Sequence, residues 1–392
     1  MAVVNISWTP PPLDWLSYSD CSAVATWYRG ALLDGYDSPL ATILNYLNSS
    51  LPNNLSTYPN DAQLIGWHLG ERTSDQVVQW MVAGWNTCTS QNGDASVEFC
   101  ANYGSAGHSD LAGPGTFIAY HLEAALATIY AIVILFDHIR RLPPKKEPAR
   151  QEDPAPKKDN AGARVLHAFR ESSIEFLDAA VLFSIGLQIA SIVQSAQFLR
   201  TSGRELTDYA VLVSMMASFF SVFCAALLHC ATFSPRRQKQ RIAGWLILLG
   251  LVTTNLALIA RLGSLRYDLR DQNSAWEARC YRPPPFNPYA LGNSMTGIFF
   301  VTLAWICFSI RLKDYRWAVG TLLRLAFALT CLVTMWTLLG FITAWKTDIS
   351  QAASGENNED QEWTFGQILA LAMWAPVFKS WGFIAIFGPE RP

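Results

Sequence analysis

"LAFALTCLVTMWTLLGFITAW", residues 325–345, is a run of 21 residues without a charged side chain. An apolar run of about 18 residues or more can cross the ~30 Å hydrocarbon core of a bilayer as one helix. The chain has seven such runs, at 117–136, 174–199, 209–230, 242–260, 291–310, 317–345 and 363–387. A buried soluble core supplies one or two of them. Seven runs separated by polar loops predict an all-α membrane protein, built as a seven-transmembrane helix bundle.

The composition agrees with a chain that has the lipid bilayer as its partner. Of the 392 residues, 51% are hydrophobic and 15% are charged. A soluble domain usually has about 25% charged residues. The formal net charge of −2 conceals a strong segregation of the basic residues along the chain.

The basic residues predict the orientation, because Lys and Arg accumulate on the cytoplasmic side, mainly in short loops. Residues 1–116 hold two of them, and the next loop, 137–173, holds nine. Continued alternation gives 17 basic residues on inner segments and 10 on outer ones, which include the loops 261–290 and 346–362. The N-terminus is therefore expected outside or in a lumen, and the tail 388–392 in the cytoplasm. The pattern leaves open whether the membrane is the plasma membrane or an endomembrane.

The first 116 residues are expected to form a small helical domain on the outer side. They do not begin like a signal peptide, since the first 20 have no basic start and no apolar core. Stretches such as "SPLATILNYLNSSL" have roughly helical apolar spacing. Six Trp residues lie in this region. A core, together with an aromatic belt near the bilayer, explains them better than a ligand-binding surface does.

Cysteines and glycosylation motifs favour the same orientation. The four cysteines on predicted outer segments are Cys21, Cys88, Cys100 and Cys280. In an oxidising compartment they can form two disulfides with three possible connectivities. In every connectivity, one of the two bonds ties the N-terminal domain to the loop 261–290. Three Asn-x-Ser/Thr motifs, which accept glycans on the lumenal side, lie at Asn5, Asn48 and Asn54.

The inner linker contains "LPPKKEPARQEDPAPKKDNAGA", residues 142–163, which is rich in Pro and mixed in charge. Such a sequence buries no apolar face and is expected to be disordered. Its basic residues suit anionic lipid. The loop 137–173 is also the expected place for a cytoplasmic protein partner.

Carboxylates at the inner end of the second span are candidates for catalysis. His167, Glu171, Glu175 and Asp178 follow one another at spacings of four, four and three, which places them on one helix face. Such a face can bind a metal or transfer protons. The favoured alternative is structural, since Ser172 and Glu175 have the spacing of a helix-capping box.

Glu123 is a candidate for a ligand or ion path. It lies in the outer third of the first span, where an ionisable group is costly and often functional. An ion pair with Arg261, at the outer end of the fourth span, is the favoured interpretation. Substrate or proton handling and simple snorkelling are the alternatives.

Lys379 lies in the inner half of the last predicted span. It is expected to snorkel to the inner surface, with the helix bent at Pro376. The alternatives are an internal ion pair with Glu175 or Asp178, and a direct role in binding a ligand.

Several motifs are missing from the sequence. There is no GxxxxGK[ST] phosphate loop, no HExxH, no CxxC and no paired-Asp run for magnesium. We therefore expect no metal site, no cofactor and no nucleic-acid partner. Seven spans with an outer N-terminus match the topology of a G-protein-coupled receptor, but the Asp-Arg-Tyr and Asn-Pro-x-x-Tyr patterns of the large receptor class are missing.

Two stretches carry a resemblance to a known group. They are "GHSDLAGPGTFIAYHLEAALATIYA", residues 107–131, and "EWTFGQILALAMWAP", residues 362–376. Both resemble a broad group of fungal multi-span integral membrane proteins with an outer N-terminal region that contains Cys and Trp. Some members of that group lie beside secondary-metabolite gene clusters. The group has no agreed catalytic residues, so the resemblance implies a layout and assigns no site.

Three functional interpretations remain. A sensor, receptor-like or accessory membrane component ranks first, with a small-molecule ligand as one option. A small-molecule transporter ranks second, with Glu123, Arg261 and Lys379 as path residues. A membrane enzyme of lipid or natural-product synthesis ranks third, and it depends on Glu171, Glu175 and Asp178.

Overall fold

The computed structural model describes most of the chain in ten segments. They are 8–32, 39–71, 75–90, 94–103, 109–140, 161–201, 208–232, 238–269, 317–352 and 363–387, together with Cys280 and Gly297. A 3₁₀ turn at Leu13–Trp15 comes first. The helices are α1 (Cys21–Leu32), α2 (Leu40–Ser50), α3 (Asp61–Glu71), α4 (Asp75–Ser90), α5 (Asp94–Tyr103), α6 (Ser109–Ala112), α7 (Pro114–Arg140), α8 (Ala161–Thr201), α9 (Asp208–Ala231), α10 (Gln238–Leu269), α11 (Trp317–Ala352), α12 (Phe365–Ala372) and α13 (Ala375–Phe387).

Six stretches of these helices are long and apolar enough to cross a membrane. They are Ser109–Asp137, Arg164–Gln197, Tyr209–Ala231, Arg241–Arg261, Arg324–Gln351 and Phe365–Ile384. They confirm a multi-pass membrane protein that is helical in its described part. The predicted fifth span, 291–310, lies outside the described residues except for Gly297. The count of seven spans therefore stays a prediction.

Helix α9 lies at the centre of the bundle and packs against α7, α8 and α11. Its side chains are buried on nearly every side, Phe219 and Phe220 completely. A helix that is apolar all round belongs in such a position. Its serines, Ser214, Ser218 and Ser221, each donate to the carbonyl three residues earlier, at 2.8–2.9 Å. They therefore bring no unpaired hydroxyl donor into the core.

Helix α8 is longer than the sequence predicts. Its 41 residues begin at Ala161, inside the predicted inner linker, and span about 60 Å. The capping box predicted at Ser172 and Glu175 is therefore wrong, because Ser172 lies 11 residues inside the helix. Its hydroxyl donates to the Ala168 carbonyl at 2.6 Å.

Packing against α7 explains the extra turns of α8. The Tyr130 ring lies 4.8 Å from the rings of both Phe169 and Phe176, and the Tyr130 hydroxyl lies 2.8 Å from Ser172 Oγ. Burying these aromatic groups stabilises helix beyond the hydrocarbon core. Two other helices also exceed the predicted limits: α10 continues to Leu269, and α11 continues to Ala352, beyond the predicted start of the loop 346–362.

The last span is broken, as Pro376 predicts. α12 ends at Ala372, and α13 begins at Ala375 after a turn at Met373 and Trp374. Proline has no N–H to donate, so it is tolerated in the first turn of the new helix. The turn directs the Trp374 ring into the bundle, where it is fully buried against Phe176 and Phe183.

The N-terminal helices pack around tryptophans. Trp27 stacks on Tyr46 with 4.1 Å between ring centroids, and Trp67 meets Trp80 edge-on at 4.8 Å. Trp27, Trp67, Trp80 and Trp85 are all buried, whereas Trp15 is 62% exposed. The prediction that the Trp residues form a core is confirmed for these four.

Local hydrogen bonds fix where two N-terminal helices begin. The Asp20 carboxylate caps α1 by accepting from the Ala23 N–H at 3.0 Å. Asn60 and Gln63 bond each other's N–H groups through their side chains, both at 2.9 Å, before and within the first turn of α3. This reciprocal pair is a capping box, with Asn60 as the N-cap residue.

Two disulfides settle the connectivity that the sequence left open. Cys21 bonds Cys88, joining α1 to α4, and Cys100 bonds Cys280, which lies beyond α10. The second bond ties the N-terminal helices to the predicted loop 261–290, as expected. The first closes a stretch with a separation of 67 residues. In the chain-entropy account such a loop contributes about 4 kcal/mol.

Candidate functional site

The two stretches that carry the resemblance meet in space around Gln367. This side chain is fully buried in the first turn of α12. Its Oε1 accepts from the Gly115 N–H at 2.9 Å, and its Nε2 donates to the Ser109 carbonyl at 2.7 Å. The Gly115 N–H belongs to the first turn of α7, where no intrahelical acceptor exists. Gln367 therefore caps α7 from another helix.

The surrounding contacts are too close for larger residues. A Cβ on Gly113 would lie 2.0 Å from Gln367 Nε2, and one on Gly115 would lie 2.7 Å from the Trp363 ring. A Cβ on Gly366 would lie 2.6 Å from Asp110 Oδ1. A Cβ on Gly113 would also lie 2.2 Å from the Ser109 carbonyl oxygen, so the backbone itself requires glycine there. At Gly115 and Gly366 a larger residue would have to displace the side chains that it meets. We call residues 109–116, Lys346 and 363–367 the Gln367 junction.

Polar groups complete the Gln367 junction. The Thr364 hydroxyl donates to Asp110 Oδ1 at 2.5 Å, and the Thr116 hydroxyl donates to the Asp110 carbonyl at 2.7 Å. Lys346 on α11 donates to the Ala112 carbonyl, and its ammonium lies 4.8 Å from the Phe117 ring centroid. The junction thus binds α6 and the start of α7 to both α11 and α12.

A second polar group lies inside the bundle, between α8, α9 and α10. The Asn255 Nδ2 contacts Gln188 Oε1 at 3.0 Å, Ser191 Oγ at 3.1 Å and Ser218 Oγ at 3.2 Å. All four side chains are buried. We call them the Asn255 cluster. In a bilayer such bonds hold helices together, since hydrocarbon offers no replacement partner.

Further polar atoms near the Asn255 cluster are buried without a hydrogen bond in the described part of the chain. They are Gln188 Nε2, both side-chain polar atoms of Gln194, and Ser195 Oγ. Buried polar groups are normally paired, and exceptions ask for an explanation. The arrangement can bind a polar solute or water along one face of α8.

Glu123 forms a third feature. Its side chain is completely buried in α7, and neither carboxylate oxygen has a hydrogen-bond partner of ordinary geometry among the described residues. The Cys224 thiol on α9 is among its polar neighbours. Arg261 lies on the exposed side of α10. The structure therefore does not form the predicted Glu123–Arg261 ion pair.

The candidate acids of α8 do not converge. Glu171 and Glu175 are exposed, and Asp178 lies 3.9 Å from Arg241 on α10. A second ion pair joins Arg170 to Asp137. These contacts connect α8 to its neighbours. Among the residues that the structure describes, no group of three or more His, Cys, Asp or Glu side chains could hold a metal.

Lys379 is exposed on the outside of α13 and forms no ion pair with any described carboxylate. This placement suits the snorkelling interpretation better than a pair with Glu175 or Asp178. Of the glycosylation motifs, Asn48 and Asn54 are exposed, and Asn5 lies outside the described residues. Most of the linker 137–173, at 141–160, also lies outside them.

Comparison of the chain with protein-family models, with curated proteins and with solved structures finds no match.

The Asn255 cluster is uncharged, so charged residues in the spans do not reveal it. A signal was present: Ser184, Gln188, Ser191 and Ser195 follow one another at spacings of four, three and four, which is one helix face. Gln367 gave no comparable signal, because its importance depends on where the start of α7 lies in space.

Proposed function

We propose that this chain is a seven-span membrane protein with a sensing, receptor-like or accessory role. Its N-terminus lies outside or in a lumen, and its C-terminus lies in the cytoplasm. The apolar run 291–310 supports a seventh span, and the distribution of Lys and Arg supports the orientation. The two disulfides and the exposed Asn48 and Asn54 suit a lumenal or extracellular N-terminal region that carries glycans.

The Gln367 junction is the observation that carries the sensing role. The N-terminal helices connect to the bundle through Cys100–Cys280 and through α6, which leads directly into α7. At the junction α6 is in contact with α7, α9 and α12. A shift of α6 would therefore displace the last span, because the glycine contacts leave no free space.

Sensing requires a ligand that binds two arrangements of the N-terminal helices with different affinity. Such a ligand would shift the population of junction states, and the change would reach α12 and α13. The basic inner linker would then be the segment that contacts a cytoplasmic partner. The resemblance to the fungal group favours a small molecule of secondary metabolism as the ligand class.

Transport of a small polar molecule is the second candidate. Its support is the interior of the bundle, where the Asn255 cluster, Gln194, Ser195 and Glu123 place polar atoms in the spans. Polar groups at membrane depth often mark substrate or ion pathways. The enzyme alternative has less support, because Glu171 and Glu175 are exposed and Asp178 faces Arg241.

Mass-spectrometric profiling of small molecules, in cells and medium with and without the gene, separates these roles. The sensing proposal predicts that, without a stimulus, removing the gene changes neither the set of small molecules nor their cell-to-medium ratios. A shifted cell-to-medium ratio that the wild type restores and Asn255→Leu does not restore would favour transport over sensing. An intermediate that accumulates without the gene would favour an enzyme over sensing. The matched control is Thr253→Val, an exposed position on the same helix.

A further inference from the structure

Helix α10 presents two polar side chains to α8, Arg241 near its start and Asn255 further along. Arg241 Nε lies 3.9 Å from Asp178 Oδ1, and Asn255 Nδ2 lies 3.1 Å from Ser191 Oγ. The residue numbers therefore rise together along both helices, which run parallel. Contacting residues differ by 63 at the first contact and by 64 at the second.

The face of α8 that meets α10 repeats the same pair of groups. Three acids of α8 each lie 13 residues before an uncharged polar side chain: Glu171 before Ser184, Glu175 before Gln188, and Asp178 before Ser191. A rise of 1.5 Å per residue gives about 20 Å for each pair, close to the separation of Arg241 and Asn255 on α10. The two polar side chains of α10 therefore match the face of α8 in more than one register.

The described register leaves polar groups imperfectly matched. The Asn255 amide has two hydrogens on Nδ2, but three acceptor oxygens lie within 3.2 Å of it, on Gln188, Ser191 and Ser218. Gln188 Nε2 is buried without a hydrogen bond in the described part of the chain. Such groups are exceptions in folded proteins and ask for an explanation.

A shift of α10 by one turn towards the start of α8 gives these groups new partners. Arg241 then lies opposite Glu175, which is exposed in the described register. Asn255 then lies opposite Gln188, where its Oδ1 can accept from the unpaired Nε2. The shift would exchange one acid for another and one amide contact for another, so neither side chain of α10 loses its kind of partner.

A permanently fixed contact accounts for only part of this pattern. It explains why buried Asn255 is bonded to α8, since polar side chains hold helices together in a bilayer. A fixed contact requires a single acid and a single polar partner, and it does not require the same pair one turn earlier. Movement of one helix past another by one turn is an established kind of conformational transition.

We propose that α10 occupies two registers along α8. The first is the described register, with Arg241 at Asp178 and Asn255 at Ser191. In the second, α10 lies about 5.4 Å nearer the start of α8, with Arg241 at Glu175 and Asn255 at Gln188. The proposal is a conformational device of the bundle and stands independently of the sensing role.

Disulfide cross-linking of the full-length protein in membranes tests both registers. A Cβ on Gly244 would lie 3.3 Å from Val181 Cγ1, so Val181→Cys with Gly244→Cys should cross-link in the described register. Leu248, buried one turn beyond Gly244, reaches Val181 only after the shift. Val181→Cys with Leu248→Cys therefore reports the second register. Leu246, which is 62% exposed, gives the control pair that should cross-link in neither register.

Charge variants should change the two cross-links in opposite directions. Asp178→Asn removes the acid of the first register and should raise the yield of the Val181–Leu248 pair about two- to fivefold. Glu175→Gln removes the acid of the second register and should lower that yield by a similar factor. A merely structural role for these acids would not move the two yields in opposite directions.

Spin labels at exposed positions give a readout that leaves the core intact. Leu182→Cys and Ile247→Cys place labels on the outer sides of α8 and α10. The proposal expects two distances between the labels, with populations that Asp178→Asn and Glu175→Gln shift in opposite directions. A single distance that neither variant changes would overturn it. A Val181–Leu248 yield no higher than that of the Leu246 control, in folded wild-type and Asp178→Asn backgrounds, would also overturn it.

Discussion

Replacement of Gln367 by Met tests the Gln367 junction. Met has nearly the same length and volume, but it offers no hydrogen bond to the Gly115 N–H or to the Ser109 carbonyl. The Ser109 carbonyl keeps a second donor, the Gly113 N–H at 2.8 Å, so only the Gly115 N–H is left without a partner. One unsatisfied buried group costs about 1–3 kcal/mol, and the substitution is expected to destabilise the folded protein by that amount.

The assay is thermal unfolding of the full-length protein in lipid nanodiscs, followed by tryptophan fluorescence. The control is Gln351→Met, which removes an exposed amide near the end of α11 and should change the midpoint little. Limited proteolysis gives a second readout, since loss of the α7 cap should expose the connection between α6 and α7. If Gln367→Met and Gln351→Met unfold at the same temperature, the junction does not hold the spans together as argued.

Four further outcomes are expected. Replacing Cys21 and Cys88 together by Ala should destabilise the N-terminal helices by about 4 kcal/mol, measured as the change in midpoint against the oxidised wild type. Burial raises the pKa of Tyr18 to about 12, so the folded state keeps a proton that the unfolded chain loses, and stability should fall between pH 10 and 12. Tyr18→Phe should remove that part of the alkaline loss, and a titration with unchanged slope would contradict this. Asn255→Leu should destabilise the bundle by about 1–2 kcal/mol in nanodiscs, since three interhelical contacts are lost. Lys379→Met should leave folding and membrane location intact, with a stability change within about 0.5 kcal/mol, and misfolding would show that the side chain is paired inside the bundle.

The long apolar elements could be predicted from the sequence because bilayer thickness alone sets their length. Six of the seven predicted spans correspond to described helices, and the break near Pro376 is where the missing N–H places it. Helix ends were harder to predict. α8 continues beyond the hydrocarbon core because Phe169 finds an aromatic partner on α7, and a linear pattern does not contain that contact.

The candidate sites could be predicted only in part. Glu123 is conspicuous in the sequence because a carboxylate in a span is rare. Its neighbour could not be predicted, because Cys224 lies 101 positions later, on a helix whose rotation depends on packing. The same reason hides Gln367, whose two partners lie about 250 residues away in sequence. Cys100 could have bonded several cysteines, and only the folded N-terminal helices place it beside Cys280.

The accessibility of the two termini tests the central topology most directly. A full-length protein with an epitope at each end would be probed with antibodies, or with protease, on intact and on permeabilised membranes. Seven spans predict that the N-terminal epitope and the C-terminal epitope lie on opposite sides, with the C-terminal epitope in the cytoplasm. Both epitopes on one side would mean an even number of spans. The run 291–310 would then not cross the membrane, and the proposed orientation of the N-terminal region would have to be reconsidered.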